Sequence, residues 1–308
     1  MTTSTLDSLN GILYFPVTPF AANGSVDEER FAEHVRSRLT YNPGAVFAAC
    51  GTGEFHALSS AEVAAVVRAA VSIVDGAVPV IAAAGGQLGH AIECAMDAAD
   101  AGADALLVMP PYLVGGPADG LVAYVKAIIA ASGMPVIVYH RGTANFTQAA
   151  VQALAAEPLV IGVKDGIGDI GRMEEIVRAV NAAGRRDIQF FNGLLTAELA
   201  QGAYRGLGVP LYSSAAFAMA PDVAMGYYDA YANGDEERRF EILDAFYLPL
   251  VALRDQTPGF GVSLVKAGLR LRGQDVGSVR APLVDPDPRQ LAELDRILTA
   301  GETLVGVR

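Results

Sequence analysis

Of the 22 basic residues in this chain only Lys126, Lys164 and Lys266 are lysines, and Lys164 closes the apolar run Leu159-Val160-Ile161-Gly162-Val163. Of the two basic residue types, only lysine can shed its proton on desolvation and attack a carbonyl to form a Schiff base. A lysine at the end of a buried strand, in a chain that otherwise uses arginine, points to an amine retained for chemistry. The plainer alternative is an ammonium that reaches water at a strand end. Tyr139, after Val136-Ile137-Val138, offers a phenol for proton relay, or an ordinary strand aromatic. Gly51-Thr52-Gly53-Glu54 can present backbone N–H groups and a hydroxyl to a carboxylate, or serve as a simple turn. Arg141 can hold an anion bidentately. Tyr112 after Pro110-Pro111, Asn192-Gly193 and Ser213-Ser214 complete the set of reactive or small residues. One amine, two phenols, hydroxyls and glycines suit imine chemistry on a small keto acid. His34, His56, His90 and His140 lack metal-ligand spacing, so no metal is expected.

For these residues to meet, the chain must bring many strand ends to one place. Short apolar runs, expected as strands, cover 11–17, 45–49, 78–84, 105–109, 135–140, 159–164, 188–192 and 210–214. Helical patterns alternate with them at 28–39, 61–74, 89–101, 120–131, 147–155, 170–182, 197–204 and 221–233. Ser59-Ser60-Ala61-Glu62 and Thr147 read as helix caps. Eight strand–helix units, with strands apolar on both faces, predict a parallel (β/α)8 TIM barrel, an α/β fold whose strand C-termini share one mouth. The rival is a doubly wound open sheet, which usually carries a glycine-rich turn after its first strand; Val17-Thr18-Pro19-Phe20 stands there instead. Residues 1–233 form the barrel in this reading. Residues 234–308, with helices at 235–253, 262–271 and 289–298, form a C-terminal helical extension.

Composition narrows the partners. The 308 residues carry a net charge of −12 and are 52% hydrophobic, which argues against nucleic acid or an anionic membrane surface. No apolar stretch is long enough to span a bilayer. Met1–Asn10 has neither a basic flank nor an apolar core, so no signal peptide is expected. Cys50 and Cys94 belong to no metal or redox motif, a pattern that suits a reducing cytoplasm.

Gly51-Thr52-Gly53-Glu54, with Leu58-Ser59 and Glu62 downstream, together with Tyr139 and Gly162-Val163-Lys164, resembles the pyruvate-dependent class I aldolase superfamily of dihydrodipicolinate synthase and N-acetylneuraminate lyase. The likeness runs over essentially the whole chain. Lys164-Asp165-Gly166-Ile167-Gly168-Asp169 and Tyr212-Ser213-Ser214-Ala215 are most similar to the 5-dehydro-4-deoxyglucarate dehydratase branch. Departures from the synthase pattern agree with that branch. Gly51-Thr52 stands for two threonines, Pro111 replaces the first of two adjacent tyrosines, and the segment after the strand-5 tyrosine is shortened to His140-Arg141.

The resemblance implies a Schiff base on Lys164, with no metal, thiamine or pyridoxal, and a proton relay through Tyr139. It implies a keto sugar diacid as small-molecule substrate and a homo-oligomer, a dimer of dimers. On this reading Gly51 and Thr52 hold the carboxylate beside the ketone, and Arg141 holds the carboxylate that leaves as CO2. Asn192, Ser213 and Ser214 meet the hydroxyl-bearing middle, with Gly193 and Tyr112 also at the substrate. Two alternatives remain open: an aldolase that releases pyruvate, and a catalytically silent barrel that binds a sugar acid.

Overall fold

Residues 9–307 are described by the computed structural model; the reading of Met1–Asn10 as leaderless falls, for residues 1–8, outside the described residues. Eight parallel strands close on themselves in chain order. They are β1 (Leu13–Tyr14), β2 (Ala45–Ala48), β3 (Val80–Gly86), β4 (Ala105–Pro111), β5 (Val136–His140), β6 (Val160–Asp165), β7 (Gln189–Asn192) and β8 (Leu211–Ser214). Apart from the half-buried Ile161, their Val, Ile, Leu and Ala side chains are buried on both faces, as strands sandwiched between a barrel interior and a helical ring must be.

The ring consists of α1 (Glu28–Leu39), α2 (Ser60–Val74), α3 (Leu88–Ala101), α4 (Ala118–Ser132), α5 (Gln148–Ala155), α6 (Ile170–Ala182) and α7 (Gln201–Gly206), followed by a short α8 (Ala216–Met219) and α9 (Pro221–Asn233). Local chemistry sets their ends. Ser59 and Glu62 form a reciprocal capping box on α2, and Thr147 caps α5 by accepting from the Ala150 N–H. Gly102, Gly133 and Gly234 stop α3, α4 and α9 in the left-handed conformation.

The structure departs locally from the sequence pattern in three places. The first strand shrinks to two residues because Pro16 and Pro19 cannot donate to the ladder. The helix expected over 197–204 splits into a 3-10 turn (Ala197–Leu199) and α7. The single helix expected over 235–253 divides into α10 (Glu236–Ile242), a π-helical turn (Leu243–Tyr247) and α11 (Leu248–Arg254), whose first turn contains Pro249 and so lacks one N–H. The extension ends with α12 (Phe260–Leu271) and α13 (Pro288–Leu304), the latter secured by an Asp287–Gln290 capping box. Among the described residues no helix is long and apolar enough to cross a membrane.

Register decides what the barrel mouth contains. Tyr139 on β5 sits opposite Lys164 on β6, and Lys164 opposite Phe191 on β7. Side chains alternate along a strand, so residues in direct parallel register share a face. Tyr139 and Lys164 therefore enter the same side, while His140, Asp165 and Asn192, one position further, take the other.

Candidate active site

At the C-terminal ends of the strands lies a cavity of about 760 Å³, a size suited to a small metabolite. Its barrel-side lining includes Phe15, Gly51, Thr52, Tyr139, Arg141 and Lys164, with Gly193 and Ser213 beside them.

The three lysines separate cleanly. Lys126 is exposed on α4. Lys266 on α12 is wholly buried, and its Nζ lies 2.6 Å from Glu54 Oε1 and 3.0 Å from the Ser278 carbonyl. Burial pulls Lys266 down to about 8, against the upward pull of Glu54. Lys164 is only 5% exposed, yet among the described residues no carboxylate lies within ion-pair distance of it. Its Nζ instead lies 4.2 Å from the Tyr139 ring centre and 4.4 Å from that of Phe15. An amine so placed is not held in a salt bridge and can meet an electrophile in the cavity.

Tyr139 is held from both sides. Its hydroxyl donates to the Gly193 carbonyl at 2.9 Å and accepts from Arg141 Nη1 at 2.8 Å. Burial alone raises its pKa, but the Lys164 and Arg141 charges and the hydrogen bonds from both outweigh burial and leave it below the ordinary tyrosine value. Two glycines make this packing possible. A Cβ at Gly166 would lie 2.8 Å from Tyr139 Cε2, and one at Gly193 would lie 2.6 Å from both Lys164 Cε and Cγ. Arg141 thus has a partner beyond the anion expected for it, since one of its donors serves the tyrosine.

The loop after β2 is fixed from beneath. Thr18 Oγ1 donates to the Gly53 carbonyl at 2.7 Å, and Glu54 takes a left-handed conformation at φ 59°. The buried Glu54 carboxylate meets Lys266 through charge at Oε1 and accepts the Arg280 N–H at Oε2, 2.8 Å away. Arg280 also reaches Glu62 and the Ala57 carbonyl. The extension therefore sets the position of Gly51-Thr52.

Three expected substrate contacts do not reach the cavity lining. Asn192 is fully buried; its amide donates to the Ala197 carbonyl and Gln201, and its Oδ1 accepts from the Leu194 N–H. Ser214 donates to Glu198 Oε1 at 2.6 Å and accepts from the Phe217 N–H. Both occupy outward positions of their strands, so they shape the loops rather than the interior. Tyr112 follows the end of β4, is 62% exposed and does not line the cavity. Asp165 faces away from Lys164: it accepts from the Ile167 and Gly168 N–H groups and from the Tyr204 hydroxyl, so it caps the following loop. His140 accepts from the Phe146 N–H. Cys50 is no nucleophile here, because burial pushes its thiol up to about 12.

Sequence reading missed a whole wall. Arg254, Asp255, Thr257, Phe260 and Leu283, all from the extension, line the same cavity. The available signal was a polar Pro-Gly segment, Arg254-Asp255-Gln256-Thr257-Pro258-Gly259, between two apolar helices, since such loops often carry binding residues. Among the described residues no three His, Cys, Asp or Glu side chains are grouped to hold a metal ion.

Comparison with known proteins identifies the family and the fold. The profile of the dihydrodipicolinate synthetase family matches residues 8–301. A probable 5-dehydro-4-deoxyglucarate dehydratase from Streptomyces griseus is 50% identical over 301 residues, 97% of this chain and 94% of that protein. One from Rhizobium rhizogenes is 42% identical, over 94% of each chain. Among solved structures, the dihydrodipicolinate synthase from Oceanobacillus iheyensis superposes with a TM-score of 0.88 at 25% identity, covering 96% of this chain and 98% of that one.

Proposed function

The chain belongs to the dihydrodipicolinate synthetase family and is a lyase, and from that premise we propose that it dehydrates and decarboxylates 5-dehydro-4-deoxyglucarate to 2,5-dioxopentanoate through an imine on Lys164. The observation that carries this reading is a buried lysine without a carboxylate partner among the described residues, in register with a tyrosine whose hydroxyl is held in place. The named dehydratase relatives, alike over nearly the whole chain, support the choice of substrate.

The steps balance without an external oxidant or reductant. The Lys164 amine adds to the C5 ketone and water leaves, forming an iminium. That cation acidifies C4–H, and Tyr139, left as a phenolate once it has given its proton to the departing water, accepts the C4 proton. Its hydroxyl is suited to this exchange because Arg141 donates to it and Lys164 lies beside the ring, both of which stabilise a developing phenolate. The resulting enamine expels the C3 hydroxyl as water, with the proton supplied by Tyr139, and leaves a conjugated iminium. When the C1–C2 bond breaks, CO2 departs and its electrons run through C2, C3 and C4 to the iminium nitrogen. Protonation at carbon and hydrolysis then free the dioxo acid and the amine. One electron sink serves both eliminations. We assign the carboxylate beside C5 to the Gly51-Thr52 loop, whose residues line the cavity and carry N–H groups and a hydroxyl, and the substrate's middle to Ser213 and Gly193. A homo-oligomer, the assembly the sequence resemblance implies, belongs to the same proposal, and sedimentation velocity measures it.

The test is to incubate the protein with 5-dehydro-4-deoxyglucarate, follow CO2 and 2,5-dioxopentanoate, and trap the imine with borohydride. Wild type should release both products and carry a reduced adduct on Lys164; Lys164→Ala should do neither. Turnover without an adduct on Lys164 overturns the mechanism. Release of pyruvate from other keto acids, with no turnover of this one, places the chain with the aldolases.

A further inference from the structure

The proposed reaction needs a place for two carboxylates, and the cavity distributes its charge unevenly. Four charged side chains line it: Lys164, Arg141, Arg254 and Asp255. Lys164 is the reacting amine. Arg141 has one donor on the Tyr139 hydroxyl and so lies at the imine end. Arg254 is the remaining cation, and it belongs to no barrel strand.

Arg254 is the last residue of α11, and its guanidinium is fixed before any ligand arrives. Its Nη1 donates to Thr196 Oγ1 at 2.7 Å, in the segment after β7, and its Nε donates to Asp255 Oδ1 at 2.8 Å. Nη2 lies 2.8 Å from the same carboxylate oxygen. An arginine has five N–H donors in a planar fork, so donors remain after these contacts. The arginine side chain is 17% exposed while that of Asp255 is 61% exposed. Water therefore screens the aspartate more than the cation, and the pair does not cancel within the cavity. Leu195, Ala215, Phe260 and Gly261 line the cavity with Arg254, and the one further acid in the adjoining pocket, Glu198, is buried, bonded to Ser214 and raised to about 7 by burial. A low-polarity wall with one oriented guanidinium strengthens a charge-assisted contact to an incoming anion.

We propose that Arg254 is the specificity-determining residue that receives the carboxylate remote from the imine, so that the extension selects keto diacids over keto monoacids. Thr196 and Asp255 are positioning residues that aim it. The inference rests on the imine reading above and adds the group that recognises the far end of the substrate. It also leaves Arg141 to serve Tyr139 rather than the departing carboxylate.

The experiment compares wild type, Arg254→Met and Arg254→Lys on two ligands: 5-dehydro-4-deoxyglucarate, and the keto monoacid in which its C1 carboxylate is a hydroxymethyl group. Borohydride trapping on Lys164, read by mass spectrometry against ligand concentration, gives half-saturation for each. In Arg254→Met the value for the diacid should rise roughly 10- to 100-fold, the worth of a hydrogen-bonded charge contact, while that for the monoacid stays within about twofold. Arg254→Lys should recover part of the diacid preference. Equal losses on both ligands make Arg254 a structural residue and overturn the proposal, as does an unchanged diacid value. If wild type traps both ligands but turns over neither, the dehydratase reading fails separately, because the trapping ratio still reports what Arg254 selects.

Discussion

Glu54 and Lys266 make the most exacting prediction, because the ion pair between them is buried on both sides and ties the extension to the loop that faces the cavity. Lys266→Met leaves the Glu54 carboxylate with only the Arg280 N–H, and Glu54→Gln leaves an ammonium with the Ser278 carbonyl and the face of Phe20, whose ring centre is 3.9 Å away. Either single change strands an uncompensated charge and should cost about 3–5 kcal/mol. That is a large share of the roughly 5–15 kcal/mol a domain commonly has. The double variant removes both charges together, so its cost should fall short of the sum of the singles by at least about 2 kcal/mol. Urea unfolding of all four proteins, followed by circular dichroism, measures the cycle. The same substitutions loosen Gly51-Thr52, so half-saturation for a keto acid should rise about tenfold while trapping at saturating ligand persists. Additive costs within about 0.5 kcal/mol would refute the reasoning, and so would an intact cycle with unchanged ligand affinity.

Three further outcomes follow from the site and the core. Tyr139→Phe removes the hydroxyl held by Gly193 and Arg141 and should lower kcat by about 10²–10⁴ while the imine still forms; loss of borohydride trapping in that variant would count against a relay role. Gly193→Ala places a methyl 2.6 Å from Lys164 Cε and Cγ, and the displaced amine should form its adduct about 10²-fold more slowly; a wild-type trapping rate contradicts it. His34 on α1 is buried, and among the described residues neither ring nitrogen makes a well-aligned hydrogen bond, Gln274 being its nearby polar side chain. Burial first, then the Arg38 charge, lowers its pKa to about 3, a trend the nearby Gln274 only partly opposes. As pH falls below about 6.5 the unfolded chain takes up this proton and the folded chain does not until about 3, so stability present above 6.5 is lost on acidification, by about 2 kcal/mol at pH 5. Unfolding of His34→Phe across pH 4–7 should lack this one-proton slope; an unchanged slope assigns the acid sensitivity elsewhere.

The barrel was legible because its signals are local. Apolar runs of strand length, helical spacing and cap residues such as Ser59 and Thr147 each lie within a few residues of the element they define, and the described strands and helices follow them closely. Lys164 stood out through its residue type and its place at a strand end. Asn192 and Ser214 were misplaced for want of parity. Once Lys164 points inward, its register partner Phe191 and the alternate residue Ser213 do too, and their neighbours must face outward. The same rule puts Tyr139 and Arg141 on one face, which would have indicated their contact. Arg254 had no such route. Its approach to Thr196 spans 58 positions and depends on how α11 ends against the barrel, a long-range packing outcome that periodicity does not encode.

The two walls of the cavity come from different kinds of structure. Lys164, Tyr139 and the Gly51-Thr52 loop stand on or directly after strands locked into the closed barrel, whereas 254–262 runs from the end of α11 through a five-residue connection into the first turn of α12. On the proposed reading, bond-making and recognition of the far carboxylate are encoded in separable stretches of chain. On that reading, replacing this segment should retarget the enzyme without rebuilding the electron sink, so diversification of substrates within one scaffold should concentrate there. An engineer seeking a new keto-acid substrate would begin with those nine positions and leave the strand ends alone.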